Sequence, residues 1–178
     1  MELKIVKFFN RLGRGTAIDG VTDFVSRIMY LAIFWTLFTI LIFFFAENGK
    51  NIATALVIAA GLHFLISEGV FKYLLLKYFE KTRPYIAYSQ EIFPIGREHN
   101  DSSFPSSHVS ANVAALTVLV NFYPIAWPGI ILFGLLITFA RLHNGMHYPS
   151  DVLAGAVLGV AYGIIGIMYA QSLVSFIF

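Results

Sequence analysis

The sequence of 178 residues contains no cysteine. A disulfide framework, a thiolate nucleophile and a cysteine-ligated metal site are therefore excluded. Charged residues are scarce too, at 12% of the chain, whereas a soluble domain has about 25%. Hydrophobic residues make up 58%, and the mean hydropathy is +0.75. This composition favours a membrane protein, and the length leaves room for a single domain over residues 1–178.

Apolar runs separated by short polar turns predict about five transmembrane helices. About 20 apolar residues cross a bilayer core, and the candidate runs begin and end near residues 28–46, 52–76, 105–122, 127–140 and 150–178. No small-residue cleavage site follows the first run, so we interpret it as an uncleaved helix and not as a signal peptide. The expected fold is an all-α integral membrane protein built as one helical bundle.

Two polar segments stand outside this pattern. Residues 1–16 mix apolar and basic side chains in a stretch too short and too charged to span, which predicts an amphipathic helix in the membrane interface. Residues 78–104 form the longest break between apolar runs. Long loops in small domains usually carry function, so we expect an active-site loop there.

A few polar residues within the bundle have simpler explanations. Glu68 and Lys72 can pair along one helix face, as can Asp23 and Arg27, although Arg27 could instead reach Glu68. His63 is expected to be a hydrogen-bonded core histidine. The stripe Gly155, Gly159 and Gly163 predicts close helix packing, which we place within the bundle in preference to a dimer interface.

The turn between the last two apolar runs carries Arg141, His147 and Asp151. A carboxylate four residues after an imidazole could hold its Nδ1–H and leave Nε2 free to attack. A guanidinium offers a planar, permanently charged fork for phosphate oxygens. This spacing predicts a phosphate site, although the pattern on its own also arises by chance.

Residues elsewhere in the chain are expected to converge on this turn. Ser106, Ser107 and His108 open the third apolar run, where free N–H groups and hydroxyls of a helix start suit an anion. We expect the serines to cap that helix. Counting spans places this helix start, the long loop and the Arg141–Asp151 turn on one membrane face.

Three segments together resemble the signatures of the type 2 phosphatidic acid phosphatase (PAP2) family. They are Lys77 to Arg83-Pro84, then Pro105-Ser106-Ser107-His108, then Arg141 to Asp151. The first segment departs from the family pattern in its lysine spacing, and Lys81 competes with Lys77 for that role. Ser107 and Ala140 stand where the family usually has glycine and serine.

The resemblance implies the following roles. His147, oriented by Asp151, would attack phosphorus and form a phosphohistidine, and His108 would protonate the leaving oxygen. Phosphate would be bound by Lys77, Arg83, Ser106, Ser107 and Arg141. The resemblance implies no metal or other cofactor, because arginines take the place of a metal. The implied substrate is an envelope lipid that carries a phosphate or diphosphate, of the undecaprenyl diphosphate, lipid A 1-phosphate or phosphatidylglycerophosphate class. The implied location is a bacterial inner membrane, with the site on the extracytoplasmic face.

Several alternatives remain open at this stage. His147 and Asp151, with His143 nearby, could ligate a metal. The charges from Lys77 to Arg83 could contact anionic lipid, and the whole basic cluster could serve headgroup binding, scrambling or transport without chemistry. A vanadium-dependent haloperoxidase has a related anion pocket, but that class is soluble. The positive-inside rule would turn this basic face towards the cytoplasm. Nothing indicates a nucleic-acid partner, and the sequence does not determine which lipid is the substrate or the oligomeric state.

Overall fold

The computed structural model describes residues 1–177, apart from the side chains of Leu76 and Lys77. The described residues form helices and no β-strand. In chain order the helices are α1 (Glu2–Arg11), α2 (Ala17–Val25), α3 (Ile28–Phe45), α4 (Gly49–Leu62) with a π-helical continuation (His63–Leu74), α5 (Leu76–Phe79), α6 (Pro84–Ala87), α7 (Ser107–Phe122), a 3₁₀ turn (Pro124–Ala126), α8 (Trp127–His143) and α9 (Pro149–Ile177).

Four helical segments among the described residues are long and apolar enough to cross a membrane. They are Ile28–Phe45, Gly49–Leu74, Pro124–His143 and Pro149–Ile177. Helix α7 is apolar but shorter, and at 1.5 Å per residue its 16 residues extend about 24 Å. It contacts α4, α8 and α9, so much of its surface meets protein. The expected all-α membrane bundle with about five apolar helices is confirmed.

Helix α7 begins two residues later than the sequence predicts. Its first residue is Ser107, and Ser106 is the N-cap residue in an extended conformation. The Ser106 side chain makes no capping hydrogen bond, so the prediction that it caps α7 is wrong. Its backbone N–H instead donates to the Asp151 carbonyl at 3.1 Å, which ties the start of α7 to the start of α9.

The glycine stripe of α9 lies against α7, as predicted. A Cβ atom added at Gly155 would lie 2.6 Å from the Ser106 carbonyl oxygen, and one at Gly159 would lie 2.6 Å from the Ser110 carbonyl oxygen. Side chains there would push the two backbones apart. Close approach of α7 to α9 thus depends on glycine, and it brings the starts of both helices together.

The polar residues inside the bundle mostly pair as expected. Arg27 Nη2 lies 2.7 Å from Asp23 Oδ2, and Lys72 Nζ lies 3.3 Å from Glu68 Oε2. The buried His63 ring accepts or donates a hydrogen bond at 3.0 Å to Ser110 Oγ. These contacts support a structural role for His63 and the local pairing of Arg27 with Asp23.

A buried asparagine is one of the residues that hold the amphipathic helix α1 against the bundle. Asn10 Nδ2 donates to the carbonyl oxygens of Phe93 and His143, and Asn10 Oδ1 accepts the Phe93 N–H at 3.0 Å. Val6 is buried beside it, whereas Phe8 is 63% exposed. Helix α1 therefore lies on the loop and on the end of α8. Its position in the membrane interface stays a prediction.

We expect Gly159→Ala to destabilise the bundle by about 1–3 kcal/mol, the usual range for an overpacked site. The added methyl would meet the Ser110 carbonyl oxygen and the Ala114 backbone nitrogen, neither of which can move independently. Gly61→Ala is the matched control, because its added Cβ meets nothing within 4 Å. Thermal unfolding in detergent gives the comparison. Equal stability of both variants would contradict the proposed contact.

Candidate active site

The predicted site residues lie at one end of the bundle, on five converging segments. Arg141 lies in the last turn of α8, His147 lies in the turn that follows this helix, and Asp151 is in the first turn of α9. Ser107 and His108 open α7, and Arg83 precedes α6 in the long loop. Gly145 has φ of 69°, a left-handed value that favours glycine, and it turns the chain after α8 so that His147 faces inward.

His147 occupies the centre of this arrangement. Its Nε2 lies 3.2 Å from Arg141 Nη2 and 3.5 Å from Arg83 Nη1. Its Nδ1 lies 2.8 Å from the Ser103 carbonyl oxygen. A carbonyl can only accept, so Nδ1 carries the proton and Nε2 presents its lone pair between the two guanidinium groups. This is the tautomer that a nucleophilic imidazole requires.

The hydrogen bond predicted between Asp151 and His147 is not formed, because the Nδ1-to-Oδ2 distance is 3.9 Å. Asp151 instead accepts the Tyr148 backbone N–H at 2.8 Å and pairs with Lys81 Nζ at 2.8 Å. It caps α9 in the manner of an acidic residue in the first helical turn. The Ser103 carbonyl thus takes the orienting role assigned to Asp151, and a catalytic contribution from Asp151 stays a prediction.

Lys81 reaches the edge of this site. Its Nζ donates to Ser150 Oγ at 2.7 Å in addition to Asp151, and it lies 4.3 Å from the centre of the Tyr148 ring. The side chain of the other candidate, Lys77, lies outside the described part of the structure. The structure therefore places Lys81 beside the turn, and the role of Lys77 stays a prediction.

Four buried donors near the turn have no hydrogen-bond partner among the described residues: Ser103 Oγ, Ser106 Oγ, Ser107 Oγ and Arg141 Nε. Buried polar atoms are normally paired, so an unpaired set indicates a missing partner. All four groups can donate to an anion. Three of them, on Ser106, Ser107 and Arg141, belong to the residues predicted to bind phosphate. The arrangement fits a bound oxyanion beside His147.

His108 lies in the first turn of α7 and is buried. Its Nε2 is 2.8 Å from the Ser26 carbonyl oxygen at the end of α2, so Nε2 carries a proton and donates it. The other ring nitrogen, Nδ1, is then the atom left for proton exchange with a substrate. His108 is also close enough to influence His147 electrostatically.

Burial lowers the pKa of the His147 imidazole well below its usual value. The charges of Arg141 and Arg83, and then of His108, lower the pKa further. All these causes favour the neutral ring, since a positive imidazole would be buried beside two positive guanidinium groups. The His147 ring is therefore neutral at neutral pH, with the proton on Nδ1 and none on Nε2, as a nucleophilic imidazole requires.

His143 belongs to the scaffold. Its Nδ1 lies 2.8 Å from the Phe9 carbonyl oxygen and its Nε2 lies 2.9 Å from Asp19 Oδ1, so both nitrogens are engaged by α1 and α2. It does not join His147 and Asp151, which removes the set of ligands behind the metal alternative. Within the described part of the chain, no group of three or more His, Asp or Glu residues could hold a metal ion.

The sequence did not single out Asp101, Ser103 or His99. Asp101 and Ser103 belong to the polar run of the long loop, and they contact Arg83 and His147 respectively. Burial lowers the pKa of His99, and the nearby charges of Arg83 and Arg141 lower it further. The sequence indicates only that these residues belong to a long polar loop. It does not indicate which of their side chains or carbonyl groups face the site.

We expect inorganic phosphate to raise the Tm of the detergent-solubilised protein, because the unpaired donors would gain an acceptor. At 100 times its Kd a bound ligand stabilises the folded state by about 2.7 kcal/mol. The increase should disappear in Arg141→Gln and persist in Arg97→Gln, which removes an exposed arginine of the loop. A shift in Arg141→Gln equal to that in the parent would contradict the assignment of the donors.

The chain is similar in sequence to known proteins. The profile of the PAP2 superfamily matches residues 53–174, which is more than half of the chain. The undecaprenyl-diphosphatase BcrC of Bacillus subtilis (strain 168) is 27% identical over 180 residues, covering 99% of this chain and 88% of that protein. An undecaprenyl-diphosphatase of Sulfolobus acidocaldarius is 29% identical over 143 residues, covering 80% of this chain and 66% of that protein.

The fold has a counterpart of known structure. The crystal structure of Aquifex aeolicus LpxE superposes with a TM-score of 0.69 at 23% identity, covering 94% of this chain and 95% of that chain. The profile match identifies the family, and the superposition identifies the same membrane fold. The chain therefore belongs to the PAP2 superfamily and is a multi-pass membrane lipid phosphatase.

Proposed function

We propose that the physiological substrate is a polyprenyl diphosphate of the undecaprenyl class. The support is the undecaprenyl-diphosphatase BcrC, which is similar to this chain over nearly its whole length. A second undecaprenyl-diphosphatase is similar over 80% of the chain. The site is compatible with this substrate, because it holds a cluster of cations at one end of the helical bundle where a membrane lipid can present its headgroup.

The observation that carries the mechanism is the lone pair of His147 Nε2, held between Arg83 and Arg141. In the proposed reaction Nε2 attacks the terminal phosphorus, and the bond from phosphorus to the leaving oxygen breaks. His108 enters this step as an imidazolium: Nε2–H stays donated to the Ser26 carbonyl, and Nδ1 carries a second proton taken up from a hydroxyl of the substrate's phosphate or from solvent. It donates this Nδ1 proton to the leaving oxygen and is left neutral, ready to act as base. Water then attacks the phosphohistidine with His108 as base, which releases inorganic phosphate and restores His147.

The arginines and the helix start supply most of the expected rate gain. Charge in phosphoryl transfer spreads over the equatorial oxygens, so fixed donors aimed at those oxygens stabilise the transition state. Arg141 Nε and the hydroxyls of Ser106 and Ser107 are unpaired and available for this purpose. Loss of one such donor costs about 3–4 kcal/mol in comparable sites. No step requires a metal.

We further propose that the enzyme lies in a bacterial inner membrane with its site on the extracytoplasmic face. This orientation follows the family resemblance and opposes the positive-inside rule. Two of the basic residues at this end form ion pairs within the protein: Arg83 with Asp101, and Lys81 with Asp151. Their position is therefore explained by these pairs and by the phosphate site, without reference to membrane orientation. An excess of lysine and arginine that serves to bind phosphate says little about which side of the membrane this end faces.

The first test is phosphate release from a panel of lipids in the presence of a chelator. The panel contains undecaprenyl diphosphate, lipid A and phosphatidylglycerophosphate. We expect the highest kcat/KM with the diphosphate, no effect of the chelator, and a loss on the order of 10³-fold or more in His147→Ala. Arg97→Gln serves as the control and should retain activity.

Each contrary outcome of this test has a distinct meaning. Higher kcat/KM for a monophosphate lipid would overturn the proposed substrate. Inhibition by the chelator would overturn the metal-free mechanism. Lipid binding without hydrolysis, unchanged in His147→Ala, would indicate headgroup binding, scrambling or transport in place of catalysis.

The second test separates the two groups near His147 Nδ1. Because the Ser103 carbonyl holds this nitrogen, we expect Asp151→Asn to lower kcat by about tenfold or less, whereas an aspartate that fixes the tautomer costs about 10⁴-fold. His147→Asn, which replaces the ring itself, should abolish turnover. A loss in Asp151→Asn as large as in His147→Asn would show that Asp151 orients the ring during the reaction.

A further inference from the structure

Arg83 is held more completely than Arg141. Its Nε donates to the Asp101 carbonyl oxygen at 3.1 Å, and its Nη2 donates to Asp101 Oδ1 at 2.7 Å. Nη2 also lies 3.4 Å from the Ser102 carbonyl oxygen, and Nη1 lies 3.2 Å from that of Met146. Arg141 Nε, by contrast, has no partner among the described residues.

The partners of Arg83 occupy particular edges of its guanidinium. Asp101 binds the edge formed by Nε and Nη2, through both its backbone and its side chain. The opposite end, at Nη1, faces His147 Nε2 at 3.5 Å. Asp101 therefore does not occupy the position next to the nucleophile where a phosphoryl group would lie. Asp101 binds the guanidinium on the edge away from His147, which orients Nη1 towards the phosphoryl position beside His147 Nε2.

Asp101 is itself fixed by a second cation. Lys72 Nζ lies 3.1 Å from Asp101 Oδ2 and 3.3 Å from Glu68 Oε2. The side chains of Arg83 and Lys72 are 4% and 14% exposed, so both cations are largely removed from water. Charges of alternating sign thus run from Glu68 through Lys72 and Asp101 to Arg83, and they connect the π-helical segment to the loop.

We propose that Asp101 is a positioning residue for Arg83, and that Lys72 holds Asp101 in the position required. This inference rests on the proposed function, in which Arg83 binds the transferred phosphoryl group. Asp101 contacts no substrate in this scheme. It acts through the orientation of a guanidinium that does.

The charge of Asp101 serves the same purpose. Arg83 and Arg141 both approach His147, and two buried like charges repel each other. The Asp101 carboxylate, bound at the Nε and Nη2 edge of Arg83, offsets part of this repulsion and leaves the side of Nη1 that faces His147 open. Burial by itself would raise the pKa of Asp101, but the charge and hydrogen bonds of Arg83, with those of Lys72, lower it to about 2. Asp101 is ionised throughout the working range of pH.

The experiment is a double-mutant cycle between Asp101 and Arg83. We expect Asp101→Ala to lower kcat with undecaprenyl diphosphate on the order of 10²-fold with a smaller change in KM, since a displaced catalytic group can cost that much. Asp101→Asn keeps an acceptor but loses the charge, and should fall in between. In an Arg83→Ala background the Asp101→Ala substitution should have no further effect, because the group that it positions is absent.

Two further variants complete the design. Lys72→Met should lower kcat in the same direction and by less than Asp101→Ala, with no added effect once Asp101 is alanine. Glu98→Gln is the matched control, because it removes one negative charge from an exposed position of the same loop and should behave as the parent. Thermal unfolding of each variant reports on folding, and where Asp101→Ala does not fold, Asp101→Asn and Lys72→Met provide the cycle.

The inference is overturned if Asp101→Ala turns over at the parent rate, or if its loss is equally large with and without Arg83. The rise in Tm with inorganic phosphate tests the role of Asp101 without requiring turnover. It therefore distinguishes a failure of the positioning role from a failure of the proposed function. If the parent hydrolyses no lipid of the panel, the proposed function fails. The positioning role is then supported by a phosphate-induced rise that is reduced in Asp101→Ala, and it is overturned by a rise equal to the parent's.

Discussion

The site depends on holding two guanidinium groups in a buried position on either side of one imidazole lone pair. Arg83 and Arg141 are both buried, and each places a terminal nitrogen next to His147 Nε2. Burial removes the water that would screen their repulsion. The protein offsets the charge of Arg83 with Asp101 and with carbonyl oxygens, whereas Arg141 Nε has no acceptor in the part of the chain that the structure describes. An oxyanion between the arginines would complete the electrostatic arrangement, which is why this geometry suits phosphoryl transfer.

The scaffold that holds these charges is fastened at the ends of the helices. Glycines of α9 let α7 approach closely, and the Ser106 N–H then reaches the Asp151 carbonyl. The long loop is fixed by further backbone hydrogen bonds, from Ser103 to the Lys81 carbonyl and from Tyr85 to that of Gly145. Helix α1 packs against the same end of the bundle, where Asn10 hydrogen-bonds to the backbone of Phe93 and His143. A site assembled from loops can therefore be rigid, because its backbone polar groups are paired with the scaffold.

The difference between the predicted and observed roles of Asp151 has a simple geometric cause. A separation of four residues brings two side chains together only when both belong to the same helix. His147 lies in a turn, and α9 begins at Pro149, so the helical spacing does not apply to this pair. Asp151 faces the N-terminal end of α9 and Lys81, while His147 turns towards the loop. The group that accepts the His147 Nδ1–H is the Ser103 carbonyl oxygen. A pattern of side chains in the sequence cannot predict a contact made by a backbone carbonyl.

The sequence by itself determined the apolar helices, the gathering of Arg83, Arg141, His147 and the α7 start at one end, and the family, because hydropathy and motif order are properties of the chain. Only the tertiary structure decided that Ser103 orients His147, that Asp101 grips Arg83 and that Lys81 joins Asp151. These contacts join residues far apart in the chain, and several use backbone atoms that every residue possesses. The path of the folded loop sets them, and side-chain identity alone does not fix that path.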